Sequence, residues 1–235
     1  MAYHEGELAV QRRAGVATLA AKVGRIIGAE IPAVAAQFLA ERRFVVTSTV
    51  AADGAVTASL LAGRAHALDP RTIRIEASLR DERVVADVAA TGTIGLLAID
   101  FATRRRMRVN GTAAIDGDAL VVTTNEVYSN CPQYIHVDPT PEDTFFIATV
   151  HPTAGADASH RGGPPGFVTV EGTRYSWPDF PGNNMFNTLG NLAVNPRCGL
   201  LFVDFATGAM TKVRGRGTVE WEGEERRVVV ERDEG

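Results

Sequence analysis

The chain of 235 residues carries 24 Lys and Arg against 28 Asp and Glu, a formal charge of −4, and is 45% hydrophobic. That is the composition of a globular protein long enough to bury a core unaided, and it lacks the broad basic surface that holds nucleic acid or an anionic membrane. Two cysteines, Cys131 and Cys198, lie far apart in unlike contexts, so free thiols and a reducing compartment are expected rather than a disulfide framework. The opening MAYHEGELAV has no basic stretch leading into an apolar one, and nowhere do eighteen apolar residues run together. No signal peptide or spanning helix is expected, and the cytoplasm is the default location.

Residues 5–42 read as helical, with Ile31, Val34, Ala35, Phe38 and Leu39 at helical spacing after Pro32. From Phe44 the period changes. Val45, Val46, Thr47 and Val50 are strand formers, Asp53-Gly54 signals a hairpin before Val56-Thr57, and Thr72 to Glu76 alternates. Asp81 to Ala90 reads as a short helix stopped by Gly92, followed by strands at Ile94–Phe101, Met107–Ile115 and Ala119–Thr124. Asp138-Pro-Thr-Pro-Glu-Asp143 is a polar linker. Then come a strand at Phe145–Val150, a hairpin of Phe167–Val170 with Arg174–Trp177, a helix at Met185–Val194 ended by Asn195-Pro196, and strands at Cys198–Phe205, Thr211–Trp221 and Arg227–Glu231.

The second half repeats the first. Gly95-Leu-Leu-Ala-Ile-Asp-Phe-Ala-Thr103 and Gly199-Leu-Leu-Phe-Val-Asp-Phe-Ala-Thr207 share seven of nine letters at an offset of 104, and Ala58-Ser59 meets Ala158-Ser159 after a small indel. Units this long and varied are whole domains rather than solenoid repeats. The expected fold is mainly β (α+β): a helical segment at 1–43, a first barrel at 44–137 and a second at 138–235, related by an internal pseudo-twofold axis.

The order of elements, with Asn191-Leu-Ala-Val-Asn-Pro-Arg-Cys-Gly-Leu-Leu-Phe202, resembles the FMN-binding split β-barrel of pyridoxamine 5′-phosphate oxidase and its relatives. More closely, the chain is similar to a bacterial, duplicated-barrel, flavin-nucleotide-binding branch, on His4-Glu-Gly-Glu-Leu-Ala-Val10, Asn130-Cys-Pro-Gln-Tyr-Ile135, Ala158-Ser-His-Arg-Gly-Gly163 and Asp179-Phe-Pro-Gly-Asn-Asn-Met-Phe-Asn-Thr-Leu-Gly190. The resemblance implies two tandem split barrels with FMN in the cleft between them. Some members continue into a flavin and iron–sulfur reductase module, which this sequence does not contain.

Phosphate favours helix-start N–H groups, a cation and polar side chains. Asn183, Asn184, Met185, Asn187 and Thr188 stand at the start of the second-half helix, and Ser159, His160, Arg161 and Gly162 end a strand where the resembled oxidases carry a basic residue. Gly162 and Gly163 would let backbone approach a ligand; equally, Asn183 could be only a helix cap and the glycines only a turn. The first half has Leu61 or a near neighbour, depending on the indel, and Asp81 and Glu82 in these places, with Arg80 and Arg83 offsetting part of the acidic charge. One flavin per chain follows, held by the second half. Arg106 and Arg108 alternate along a strand whose counterpart meets the flavin ring in relatives, whereas Arg104 and Arg105 fit a solvated hairpin tip. Asn130, Cys131 and Tyr134 match the family and are expected at the pocket.

Asp157, Ser159 and His160 crowd one extended segment and lack triad geometry, and His4 and Glu5 with His151 or His160 lack metal-ligand spacing. The functional expectation is an FMN-dependent oxidoreductase acting on a small molecule, with NAD(P)H or a reductase partner as electron source, and no nucleic acid or membrane partner. It would be a pseudo-symmetric monomer or a homodimer. A non-enzymatic flavin binder and a haem-binding or haem-degrading split barrel are the alternatives.

Overall fold

The computed structural model describes residues 3–77 and 81–234. The N-terminal segment folds as three short helices, α1 (Glu5–Arg13), α2 (Ala17–Val23) and α3 (Ala33–Ala40). Gly15, at φ +69°, breaks the first from the second, a backbone state that only glycine adopts without strain.

The first half forms a closed six-stranded barrel of β1 (Phe44–Val50), β2 (Val56–Asp69), β3 (Thr72–Ala77), β4 (Thr93–Asp100), β5 (Arg105–Asp116) and β6 (Ala119–Ser129), in the order β1-β2-β3-β6-β5-β4. Helix α4 (Glu82–Thr91) lies between β3 and β4, capped by the Asp81 side chain and ended by Gly92 at φ +67°. The second half holds β7 (Thr144–His151), β8 (Gly155–Gly162), β9 (Thr169–Glu171), β10 (Arg174–Pro178), α5 (Asn187–Val194), β11 (Arg197–Val203), β12 (Met210–Glu222) and β13 (Glu225–Arg232), in the sheet order β8-β7-β11-β12-β13-β10-β9.

The registers make the repeat explicit. Ser48 stands opposite Gly95 and Thr47 opposite Ser59; in the second half Ala148 stands opposite Gly199 and Ile147 opposite Ser159. Arg161 therefore occupies the place of Leu61. One difference matters. The long strand β2 pairs with β1 through Ala62 and with β3 from Gly63 onward. Its counterpart is cut in two, β8 and β9, by Gly163-Pro164-Pro165-Gly166, because proline cannot donate to a ladder. The second barrel is thus parted at one seam where the first is continuous.

Each half has its own core, one around Leu39, Ile73, Leu96 and Leu120, the other around Phe145, Trp177, Leu189 and Leu200. A third cluster joins them: Val46, Ala58, Leu97, Phe146, Ala148, Ala158 and Leu201. Phe101 and Phe205, equivalent in the repeat, touch edge to face at 5.0 Å, which places the pseudo-twofold axis between them. The barrels approach on small residues. A Cβ on Gly95 would lie 2.6 Å from Ala156 O, and one on Gly199 would lie 2.8 Å from Ala58 N. Among the described residues no helix is long and apolar enough to cross a membrane.

Because backbone rather than a movable side chain blocks these positions, Gly95→Ala should destabilise the protein by about 1–3 kcal/mol, as other overpacked interiors are. Gly182→Ala, which meets nothing within 4 Å, should cost far less. Urea denaturation compares the two, and equal midpoints would mean the barrels do not meet on this seam.

Candidate functional site

Strand alternation sends Arg106 and Arg108 of β5 out of the first barrel and against β8 of the second. Arg108 is buried, and its Nη1 donates to both carboxylate oxygens of Asp157 at 3.2 and 3.1 Å. The same nitrogen lies 3.3 Å from Asn187 Oδ1. Around this pair Tyr128 Oη donates to Asp157 Oδ1 at 3.4 Å, and Ser159 Oγ donates to Asp157 Oδ2 at 3.0 Å and lies 2.9 Å from Thr188 Oγ1. Burial opposes the Arg108 charge most strongly of any one cause, but Asp157 and Tyr128 together outweigh it and hold the guanidinium above its ordinary pKa.

Arg106 Nη1 lies 2.8 Å from His160 Nδ1. Arginine can only donate, so Nδ1 accepts and His160 carries its proton on Nε2. Burial, then Arg106 and Arg161, push His160 well below the usual imidazole range, so it is neutral. Burial, then Arg108 and Arg161, bring Arg106 down to about 9, still charged at neutral pH. Burial also lowers Arg161, with Asp179 partly restoring it.

These groups line two adjoining cavities. The larger, of about 80 Å³, is bounded by Arg106, Arg108, His160, Arg161, Trp177 and the 130–134 loop. The smaller, of about 70 Å³, lies at the start of α5 against Arg108, Arg161, Asn183, Asn184, Asn187 and Thr188. Unlike α4, helix α5 has no side-chain cap. Among the described residues eight buried side-chain N or O atoms have no hydrogen-bond partner. Five of them are donors on residues of the larger cavity: Arg106 Nε, Arg108 Nε, His160 Nε2, Arg161 Nε and Trp177 Nε1. Each such group costs about 1–3 kcal/mol when left unsatisfied. Backbone strain gathers at the same rim, with Tyr134, Asn184 and Phe186 all near φ +61°.

The cavities bring together twelve of the residues singled out from the sequence. Arg106, Arg108, His160, Arg161, Gly162, Asn130, Cys131, Tyr134 and Asn183 border the larger, and Asn184, Asn187 and Thr188 the smaller. Asn183 Nδ2 donates to Asn130 Oδ1 at 2.7 Å, closing the rim. Ser159 is fully buried behind the wall, and Met185 packs in a separate core with Tyr3, Ala20 and Tyr128. Asn183 does not cap α5, which begins two residues later than expected; its Oδ1 accepts from Met185 N–H at 3.1 Å. Nor do Gly162 and Gly163 make room for a ligand here. A Cβ on Gly162 would run into the Tyr134 carbonyl, and one on Gly163 into the Phe167 and Phe180 rings. Arg104 and Arg105 are exposed.

Sequence reasoning missed Asp157 as the partner of Arg108, and missed Phe167, Trp177, Asp179 and Phe180 as walls of the cavity. Asp157 had one available signal: it replaces Thr57 of the first half on the strand that carries Ser159 and Arg161.

The pseudo-equivalent place in the first half is different chemistry. Lys212 takes the position of Arg108, donates to Ser59 Oγ at 2.8 Å and pairs with Asp81, which caps α4. Leu61, Glu82 and Arg83 line an open cleft there, and Arg80 lies outside the described residues.

Ligand atoms of His4, Glu5 and His151 do come within 4.8 Å of one another, because they arrive from segments far apart in sequence. Yet both imidazole Nδ1 atoms accept backbone N–H groups, His4 from Gly6 and His151 from Thr153 and Ala154. Their protons therefore sit on Nε2, the atoms a cation would need.

The architecture and site define a duplicated, mainly β protein with a cavity rich in unpartnered donors where its two halves meet. Residues 139–233 match the family model described as Pyridoxamine 5′-phosphate oxidase. The match lies within the second half of the chain. Solved structures similar to it include a tagged HupZ variant from Group A Streptococcus, at 14% identity and TM-score 0.37 over 42% of this chain and 98% of that one. Another is a candidate pyridoxamine 5′-phosphate oxidase from Lactobacillus delbrueckii subsp., at 19% identity and TM-score 0.36 over 43% and 95%. No curated protein matches the sequence.

Removing the carboxylate while keeping its shape should expose how much the site depends on it. Asp157→Asn leaves Arg108 buried without a counter-charge, and a loss of about 3–5 kcal/mol is expected. Thermal and chemical denaturation measure it; a loss under about 1 kcal/mol would mean that Arg108 is hydrated rather than paired.

Proposed function

We propose that this chain is an FMN-dependent oxidoreductase that binds one flavin between its halves. The observation that carries the proposal is the convergence of five unpartnered N–H donors, three of them on arginines, on one cavity. Donors without acceptors call for a ligand group that only accepts and is negative, and a phosphate is such a group. Arg161 and Arg108, with the uncapped start of α5 and Asn187 and Thr188, would hold the phosphate, consistent with the preference of anions for free helix N–H groups. Arg106, His160 and the 130–134 loop would border the ring. FMN when bound supplies a ring that accepts and passes on hydride or electrons, while the protein sets its orientation and environment.

In the chain itself, Arg106 keeps a positive charge beside the ring space, and His160, fixed as its Nε2–H tautomer, offers a donor rather than a base. Together the cavities are well below the ~300 Å³ at which small-ligand pockets begin. Entry of a ring therefore requires Tyr134 and Phe180, stacked at 5.3 Å, to part. Since one chain supplies both walls, a monomer completes the site. A small-molecule substrate with NAD(P)H or a reductase as donor fits this reading, in the cytoplasm and without nucleic acid or membrane partners.

Absorbance of the purified protein is the first measurement: an oxidised-flavin spectrum is expected, and anaerobic bleaching by NAD(P)H separates an enzyme from a passive binder. Titration of apoprotein with FMN should give one site. Arg161→Ala should weaken binding about 10- to 100-fold, the worth of a charge-assisted hydrogen bond of roughly 1.5–3 kcal/mol. Asp81→Asn should leave affinity almost unchanged. Two sites per chain, or normal binding by Arg161→Ala, would place the phosphate elsewhere.

A further inference from the structure

The N-terminal helix contributes polar groups that lining a cavity does not explain. His4, Glu7 and Gln11 recur at helical spacing, and Glu7 and Gln11 are 3% and 1% exposed. Each of the two meets the segment that enters α5. Gln11 Nε2 donates to Met185 O at 3.1 Å, and Asn187 Nδ2 donates to Glu7 Oε1 at 2.5 Å. The second Glu7 oxygen accepts from the His4 backbone N–H at 2.9 Å, closing a capping box. Between these contacts the two helices touch backbone to backbone: a Cβ on Gly190 would lie 2.6 Å from Glu7 N. Two helices meeting on glycine have little freedom to slide, so the placement of Glu7 is set by the packing.

Asn187 is the link to the cavity. It is the first residue of α5 and lines the smaller cavity beside Arg108 and Arg161. An amide has one donor end and one acceptor end. Glu7 engages the donor end, which leaves the acceptor end toward Arg108 Nη1 at 3.3 Å.

We propose that Glu7 is a positioning residue for the anion site: it fixes Asn187, Asn187 fixes the Arg108 guanidinium, and ligand affinity depends on a carboxyl that does not touch the ligand. The identity of the ligand as FMN rests on the function proposed above.

A consequence for pH follows from the groups around Glu7. These are Tyr3 and His4 from its own segment, Arg108 from β5, Glu126 from β6 and Asp157 from β8. Burial first, with Glu126 and Asp157 adding and the His4 N–H and Arg108 opposing, pushes the Glu7 carboxyl up to about 8. A carboxyl whose folded value lies above the ordinary 4.5 is held protonated by folding. Its contribution to stability is complete below 4.5 and is lost as the pH rises through about 8. Ionised Glu7 would stand as a second carboxylate near Asp157, compete for Arg108 and repel a phosphate, so anion affinity should fall in the same window. The second ionisation of a phosphate ester is complete by then, at about pH 6.

The test is FMN titration by flavin fluorescence from pH 7 to 9.5 on the wild type, Glu7→Gln, Glu7→Ala and Glu5→Gln. Alongside it, the Asn187 side-chain amide is followed by NMR in ligand-free protein. Wild-type affinity should drop by about tenfold between pH 7.5 and 9.5, the effect of a single linked proton over this range. Glu7→Gln should abolish that slope, and Glu7→Ala should weaken binding at pH 7 about five- to tenfold, the worth of one hydrogen bond. Glu5→Gln, which removes the partner of His151 on the same helix, should lower Tm without changing affinity or slope. The Asn187 amide should titrate near pH 8 in the wild type and not in Glu7→Gln. If FMN does not bind at all, the flavin reading fails, and the Asn187 titration alone decides the positioning. A flat wild-type affinity, a wild-type slope in Glu7→Gln, or an Asn187 signal indifferent to Glu7 overturns the proposal.

Discussion

The ion pair between Arg108 and Asp157 joins the halves, and the site is built outward from it. Its members come from strands 49 residues apart, and their side chains are 7% and 3% exposed. Taking either charge out of water alone costs several kcal/mol, a penalty that is met only when the other arrives with its own hydrogen bonds. Tyr128, Ser159 and Asn187 supply those bonds. Neither half can form this arrangement by itself, so docking of the barrels and assembly of the cavity are one event. Small residues at the seam permit it: Gly95 and Gly199 let backbone meet backbone, and any side chain there would hold β5 away from β8.

Duplication then explains the asymmetry. A pseudo-twofold axis offers two equivalent corners, and each pairs a cation on one half with a helix start on the other. In one corner the cation is Lys212, and Asp81 supplies both its counter-charge and the cap of α4. The lysine charge and the helix start are both satisfied within the protein. In the other, Asp157 satisfies only Arg108, while Arg106 and Arg161 have no carboxylate at salt-bridge distance among the described residues and α5 is uncapped. The first corner is closed chemistry, and the second is left open to an outside acceptor.

Much of this was legible in the letters. The Gly95 and Gly199 strings expose the duplication, and duplication aligns Leu61 with Arg161, which the register reproduces. Alternation at 106 and 108 foretells that both arginines leave the first barrel on one face. Other features depend on tertiary contact and left no local trace. Helix α5 begins at Asn187 because Phe186 adopts a left-handed backbone, a state that its side chain disfavours and that propensity would not assign. Met185 looks like a neighbour of the site but turns into a core made by Tyr3 and Ala20, which lie more than 160 residues earlier. Gly162 and Gly163 signal close approach, but sequence cannot say whether a ligand or the Tyr134 loop approaches. Glu7 reads as an ordinary first-turn acid, favoured by the helix dipole, until α5 covers it.

The energetics of the cavity follow from the same asymmetry. Five unsatisfied donors at about 1–3 kcal/mol each would cost roughly 5–15 kcal/mol, as much as the whole stability of a typical domain. Strained backbone at Tyr134, Asn184 and Phe186 adds about 1–3 kcal/mol apiece. An acceptor that reaches these donors recovers part of that cost. The donors are held in place independently of that acceptor, Arg108 by Asp157 and Arg106 by the ring nitrogen of His160. On the function proposed above, the free energy recovered on binding is then not spent on ordering these donors, and the cost that remains is the parting of Tyr134 and Phe180 at the mouth.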